Sequence, residues 1–227
     1  RQTHCCAATK MVKNRGAPLS MPVYFQIPRR HIGLVLREFL DFLSTPAAER
    51  AIATSGYVDR AVTSQPLTAD GLRLINAING AGADTSLEDL KRLTALMDGR
   101  ARLSMTFRFA GGSSTLDSHS RDGLADLALM LEADVFKGQE LSLVGFSDGS
   151  GAAAANLDLS RVRAEAVLTV LRQFAPQLPE ARLPRIEALG EILPIACDET
   201  GAGRRLNRRV ELWVKPQLTP DTPESEN

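Results

Sequence analysis

Residues 101–215 predict an α+β fold, a mixed sheet carrying helices on one face, preceded by a helical N-terminal region. Three observations carry this. Residues 103–109 alternate apolar and polar side chains with the period of two that a half-buried strand requires. Two later segments repeat their apolar residues at helical spacing. Strand and helix segments follow one another in the order βαβαββ, and right-handed crossovers make at least one strand pair parallel.

The elements can be justified in chain order. Residues 1–20, with Gly16 and Pro18 as breakers, read as loop, and residues 21–27 as a short strand ended by Pro28. Ile32, Val35, Leu36, Phe39, Leu40 and Leu43 repeat at helical spacing from His31 to Ser44. Ser44 is placed to cap a second helix over 47–55, with Pro46 in its first turn and Gly56 at its end. Residues 60–68 read as linker. Helices follow over 69–79 and 86–98, the latter capped by Ser86, with Leu87, Leu90, Leu93 and Leu96 as its inner face.

After Gly99 come the alternating strand and a Gly111–Thr115 loop. A helix then carries Leu124, Leu127, Ala128 and Leu131, and a strand follows over 140–146. A helix over 157–174 has Leu159, Val162, Ala166, Val170 and Leu171 as its expected inner face. Strands are expected over 185–189 and 209–214. The Pro-rich acidic tail from Lys215 reads as disordered.

Composition excludes several functions. The chain has 227 residues, with 27 basic and 27 acidic side chains, so its formal net charge is zero. That disfavours a basic nucleic-acid binder, and aromatics at 5% disfavour a base-stacking platform. At 44% hydrophobic the chain suits a packed core, and no run approaches the ~18 apolar residues of a membrane span. The zero is unevenly spread: nine basic and four acidic residues over 1–60, against 14 and 18 over 101–227. Of the basic residues 22 are Arg, the better fork for carboxylates and phosphates. Cys5, Cys6 and Cys197 have no metal-ligand spacing and read as three ordinary thiols, one bridge remaining open. The chain starts at Arg1 without a leader pattern, so it reads as a mature form or a fragment and says nothing of compartment.

Gly145-Phe146-Ser147-Asp148-Gly149 matches the GxSxG pattern of a nucleophile elbow. That elbow needs a helix to begin at once and a histidine later in the chain. Here about ten small and polar residues intervene, and His4, His31 and His119 all lie upstream. No histidine pair has zinc-ligand spacing. Gly111-Gly112 lacks the GKS ending of a phosphate loop. No cofactor, metal or catalysis is expected.

What survives is a pair. Asp148 lies just past a strand end, and Arg163 follows 15 residues later in the next helix. A strand end and the following helix start share one rim of a sheet, so the two charges can face one cleft. Asp148 offers an acceptor for an ammonium and Arg163 a bidentate fork for a carboxylate, which together suit a zwitterion. Asn156 is placed to cap the helix. The competing reading is an internal Asp148–Arg163 salt bridge.

Residues 103–214 also resemble the OmpA-like peptidoglycan-binding domain. The resemblance rests on Gly145-Phe-Ser-Asp148-Gly-Ser-Gly151, on Asn156-Leu-Asp-Leu159-Ser160-Arg-Val-Arg163-Ala164, on Gly190-Glu191 and Pro194, and on Asn207-Arg208-Arg209-Val210-Glu211. It implies a βαβαββ sandwich over 101–215 and non-covalent binding of peptidoglycan, with Asp148 meeting the ammonium and Arg163 the carboxylate of diaminopimelate. Asn156, Asn207 and Arg208 take supporting roles in the binding site. The chain departs from the family pattern in having Phe146-Ser147 for the usual His-Thr, and Ala110 where an Asp often stands. The implied setting is the periplasm or outer membrane of a Gram-negative envelope, anchoring an envelope protein to the cell wall.

Residues 1–60, through Pro22-Val23-Tyr24-Phe25, Arg37–Ser44 and Gly56-Tyr57-Val58, resemble the C-terminal end of a phosphate-type periplasmic solute-binding protein. The implied organisation is a partial segment over 1–60, a helical connector over 61–100, the peptidoglycan-binding domain over 101–215 and a tail over 216–227. Two rival functions follow: a phosphate-type transport receptor anchored by its C-terminal domain, and a serine hydrolase acting through Ser147.

Overall fold

A computed structural model describes residues 26–27, 32–43, 45–57, 61–67, 71–80, 85–110 and 115–216. The expected strand over 21–27, the Gly111–Ser114 stretch and the tail beyond Pro216 therefore lie largely or wholly outside the described residues. These fall into two compact units, one ending at Thr63 and one beginning at Ser64.

The first unit holds α1 (Leu34–Leu43) and α2 (Pro46–Thr54). Thr45, rather than Ser44, caps α2 through a 3.3 Å bond from the Ala48 amide to its hydroxyl, and Pro46 opens the first turn.

The second unit holds β1 (Ser64–Pro66), α3 (Gly71–Gly80), α4 (Leu87–Met97), β2 (Ala101–Arg108), α5 (Ser118–Glu132), β3 (Gln139–Gly145), α6 (Ala153–Phe174), β4 (Arg185–Ala188), α7 (Gly201–Asn207) and β5 (Arg209–Pro216). The sheet order is β1-β2-β5-β3-β4. Only the β3–β4 pair is parallel; the other three are antiparallel. The α+β class and the single parallel crossover follow the sequence expectation. Two elements do not. Residues 64–66, read as linker, add an edge strand to β2, and the short helix α7 lies between β4 and β5. Both are too short for a periodic signal.

Alternation along the central strands sorts the packing. On one face Leu141, Leu143, Val210 and Leu212 are buried with the α5 residues Leu124, Leu127 and Leu131 and the α6 residues Val167 and Leu171. Gly145 ends that face because α6 crosses directly over it: a Cβ there would lie 1.9 Å from the Ser160 carbonyl oxygen. On the other face Val144 and Trp213 cluster with Ala77 of α3 and with Leu93, Leu96 and Met97 of α4. The sheet is thus covered on both faces, and the segment read as a connector supplies the second cover. Ser86 caps α4 with a reciprocal capping box to Asp89. Leu87 is 69% exposed and drops out of the expected inner face, Met97 taking a place in the core instead.

The largest difference lies in α6. It begins at Ala153, one turn earlier than expected, and its buried stripe is Asn156, Ser160, Ala164, Val167, Leu168 and Leu171. Leu159 and Val162, expected inside, are 47% and 46% exposed. Periodicity favoured the branched residues. The polar Asn156 and Ser160 won because each finds bonds inside: Ser160 Oγ donates to the Leu157 carbonyl and accepts from the Gly190 amide at 3.0 Å.

Cys197 is disulfide-bonded, which corrects the reading of three ordinary thiols; its partner lies outside the described residues.

Candidate functional site

Three chain segments converge where β3 ends. The Phe146 amide bonds the Arg209 carbonyl at 2.9 Å, and the Ser147 amide bonds the Gly190 carbonyl at 2.7 Å. The exit of β3 is therefore threaded between the segment after β4 and the start of β5. That brings Asp148 beside Arg208, 60 positions away in sequence.

Asp148 Oδ2 accepts from Arg208 Nη1 at 2.6 Å, and Oδ1 accepts from the Ser150 amide at 3.1 Å. The Asp148 side chain is 10% exposed and that of Arg208 23%. Burial by itself raises the Asp148 pKa. The hydrogen bonds from Arg208 and Ser150 outweigh it and hold the carboxyl below its ordinary value.

Arg163 stands across the rim, half-buried. The Asp148–Arg163 salt bridge does not form. Arg163 Nη1 instead makes two long contacts, 3.4 Å each, to the Phe146 carbonyl and the Ser147 hydroxyl. Its guanidinium carbon lies 6.0 Å from the centre of the Phe109 ring. Burial lowers its pKa, repulsion from Arg208 adds to this, and Asp148 opposes both. Among the described residues, Arg163 has no carboxylate partner within salt-bridge distance.

Asn156 does not cap α6. The N-cap is Ala152, without a side-chain bond, and Asn156 sits inside the first turns, 1% exposed. Its Oδ1 accepts from the Ser147 hydroxyl at 3.0 Å, and its Nδ2 donates to Glu191. Ser147 is thus a buried link between β3 and α6, with Asn156 and Arg163 as its partners, and neither of these is a base for a nucleophile.

Asn207 is fully buried. Its Oδ1 accepts from the amides of Ile195 and Ala196, and its Nδ2 donates to the Ala196 carbonyl and to Asp198 Oδ1 at 2.7 Å. Asp198 Oδ2 in turn accepts from the Gly149 amide at 2.7 Å. Asn207 and Asp198 therefore position the loop that carries Asp148. Sequence reasoning missed Asp198: an acid in the irregular stretch between β4 and α7 carries no local signal, and its partners arrive only through the fold. Among the described residues no group of three or more His, Cys, Asp or Glu side chains is placed to hold a metal.

Residues 108–208 match the model of the OmpA family. Among curated proteins, the chain is 31% identical over 108 residues to the probable lipoprotein YiaD of Escherichia coli K12, covering 48% of this chain and 47% of that one. It is 34% identical over 113 residues to the outer-membrane lipoprotein YfiB of Pseudomonas aeruginosa, covering 49% of this chain and 64% of that one. The chain therefore spans less than two thirds of the length of either relative. Among solved structures, the peptidoglycan-associated lipoprotein from Burkholderia pseudomallei aligns with a TM-score of 0.42 at 26% identity, over 49% of this chain and 90% of that one. The family match begins at residue 108, so the solute-receptor resemblance of residues 1–60 draws nothing from it.

Proposed function

We propose that residues 101–215 bind peptidoglycan non-covalently, gripping the diaminopimelate of the stem peptide, and so anchor an envelope protein to the cell wall. The observation that carries this reading is the rim pair. A half-buried guanidinium with no carboxylate partner among the described residues and a buried carboxylate lie at one strand end. Desolvated partners of opposite charge suit the amino-acid end of a side chain that bears both an ammonium and a carboxylate. The family match and the two lipoprotein relatives support the envelope setting. The Cys197 disulfide fits the oxidising side of that envelope.

The roles divide by burial. Asp148 takes the ammonium and Arg163 the carboxylate. Asn156 and Asn207 are buried and act through what they hold, Asn156 the Ser147 and Glu191 side chains and Asn207 the backbone of Ile195 and Ala196. Binding of this kind needs no bond made or broken.

Sedimentation with insoluble diaminopimelate-type peptidoglycan tests the reading. Asp148→Ala and Arg163→Ala are each expected to leave the chain in the supernatant, with melting temperatures close to that of the parent. Retention of full co-sedimentation by both variants overturns the site.

A further inference from the structure

We propose that Arg208 is a specificity-determining residue, an internal cation that shields Asp148 until a ligand carboxylate has docked on Arg163. The inference rests on the peptidoglycan reading above and deepens it.

The geometry is asymmetric in a way the Asp–Arg motif does not suggest. Both Asp148 oxygens are engaged, one by Arg208 at 2.6 Å and one by the Ser150 amide. With its side chain only 10% exposed, the carboxylate has little open surface for a ligand ammonium while Arg208 stays in place. The Arg208 side chain, 23% exposed, is the more open of the two.

Charge sets the order of events. Asp148 and Arg208 form an ion pair, and among the described residues Arg163 has no carboxylate within salt-bridge distance. The other carboxylates nearby are already committed: Glu191 to Asn156, and Asp198 to the Gly149 amide and Asn207. Among the described residues the hydrogen bonds of Arg163 are long and go to neutral oxygens, and its charge is repelled by Arg208 and attracted by Asp148. A ligand carboxylate on Arg163 relieves that repulsion. The ammonium on the same carbon of the ligand is then delivered to Asp148, where it exchanges for Arg208. An amine that lacks the carboxylate must displace a charge-assisted bond with nothing to offset its loss. Arg208 therefore penalises ligands that bring an ammonium alone, which is discrimination by repulsion of the wrong ligand.

The experiment uses the full chain, with calorimetric titration of two soluble stem peptides. One carries diaminopimelate; the other carries lysine, which lacks the side-chain carboxylate. The parent is expected to prefer the diaminopimelate peptide. In Arg208→Gln, Asp148 is uncovered, so the lysine peptide should gain affinity and the preference should shrink about tenfold or more. Arg208→Lys should restore most of the preference, which a merely structural role would not require. Thermal melting of both variants confirms that they fold.

If the parent binds the diaminopimelate peptide but Arg208→Gln leaves the preference unchanged, or weakens both peptides equally, the shielding role is overturned while the peptidoglycan reading stands. If the parent does not bind the diaminopimelate peptide, the reading itself fails and takes the inference with it.

Discussion

Two arginine–carboxylate clusters lie within a few residues of each other, and they are built for opposite ends. In the core, Glu211 accepts from Arg209 Nε at 2.7 Å, from Arg73 Nη2 at 3.0 Å and from the Trp213 indole at 2.9 Å. Arg209 also donates to the carbonyls of Leu193 and Asn207, and its guanidinium lies 3.9 Å from the centre of the Phe146 ring. Burial tends to raise the Glu211 pKa, but Arg73, Arg209 and Arg102 together hold the carboxyl well below its ordinary value. Burial draws Arg209 down to about 9, which still leaves it charged at neutral pH.

At the rim, by contrast, the Arg163 side chain has only long bonds to neutral oxygens among the described residues. A buried ion network offsets its desolvation cost only where its charges meet opposite charges inside the fold. A desolvated guanidinium without an anion holds binding energy in reserve for one brought from outside. What separates the structural cluster from the candidate site is that Arg73 and Arg209 both reach a carboxylate inside the fold, whereas Arg163 reaches none among the described residues.

The sharpest way to break the comparison is at Glu211. Glu211→Ala strands Arg209 in the core and should cost about 3–5 kcal/mol, read as a lower denaturant midpoint. Next comes the joint between the two regions. Gly145→Ala sets a Cβ against the Ser160 carbonyl at 1.9 Å, so α6 must shift, at roughly 1–3 kcal/mol and with weakened peptidoglycan binding.

Acid should separate the clusters too. Glu211 and Asp148 both have folded-state pKa values below their reference values of 4.5 and 3.8. Each therefore contributes stability that is fully present above the reference value and is lost as pH falls through the lower folded value. Acid melting of Glu211→Gln should flatten this dependence more than that of Asp148→Asn, because Glu211 is the more deeply buried. At the rim, Asp148→Ala and Arg163→Ala should change stability by no more than about 1 kcal/mol while wall binding is lost. The smallest effect is expected on the outer face of α6, where Leu159→Ser and Val162→Ser should each change stability by less than about 0.5 kcal/mol. A loss of 2 kcal/mol or more at either would restore the inner face that periodicity favours.

Much of this was legible in the sequence for physical reasons. The alternation of Leu103, Met105 and Phe107, the Ser86 cap and the apolar stripe of α5 are local patterns, and local patterns survive reading one residue at a time. The inner face of α6 was misread because apolar periodicity cannot anticipate that Asn156 and Ser160 will find partners inside. Asp198 left no trace, since its acceptor role depends on a glycine amide 49 positions away.

The sequence by itself determined the βαβαββ order of the longer elements, the α+β class and the placing of Asp148 and Arg163 near one strand end, because strand–loop–helix geometry spans few residues. Only the tertiary structure decided which cation Asp148 holds. Threading the β3 exit between the end of β4 and the start of β5 brings Arg208 to the carboxylate and leaves Arg163 without an anion among the described residues. A bond across 60 positions depends on how the strands are ordered in the sheet, and no periodicity or spacing encodes that order.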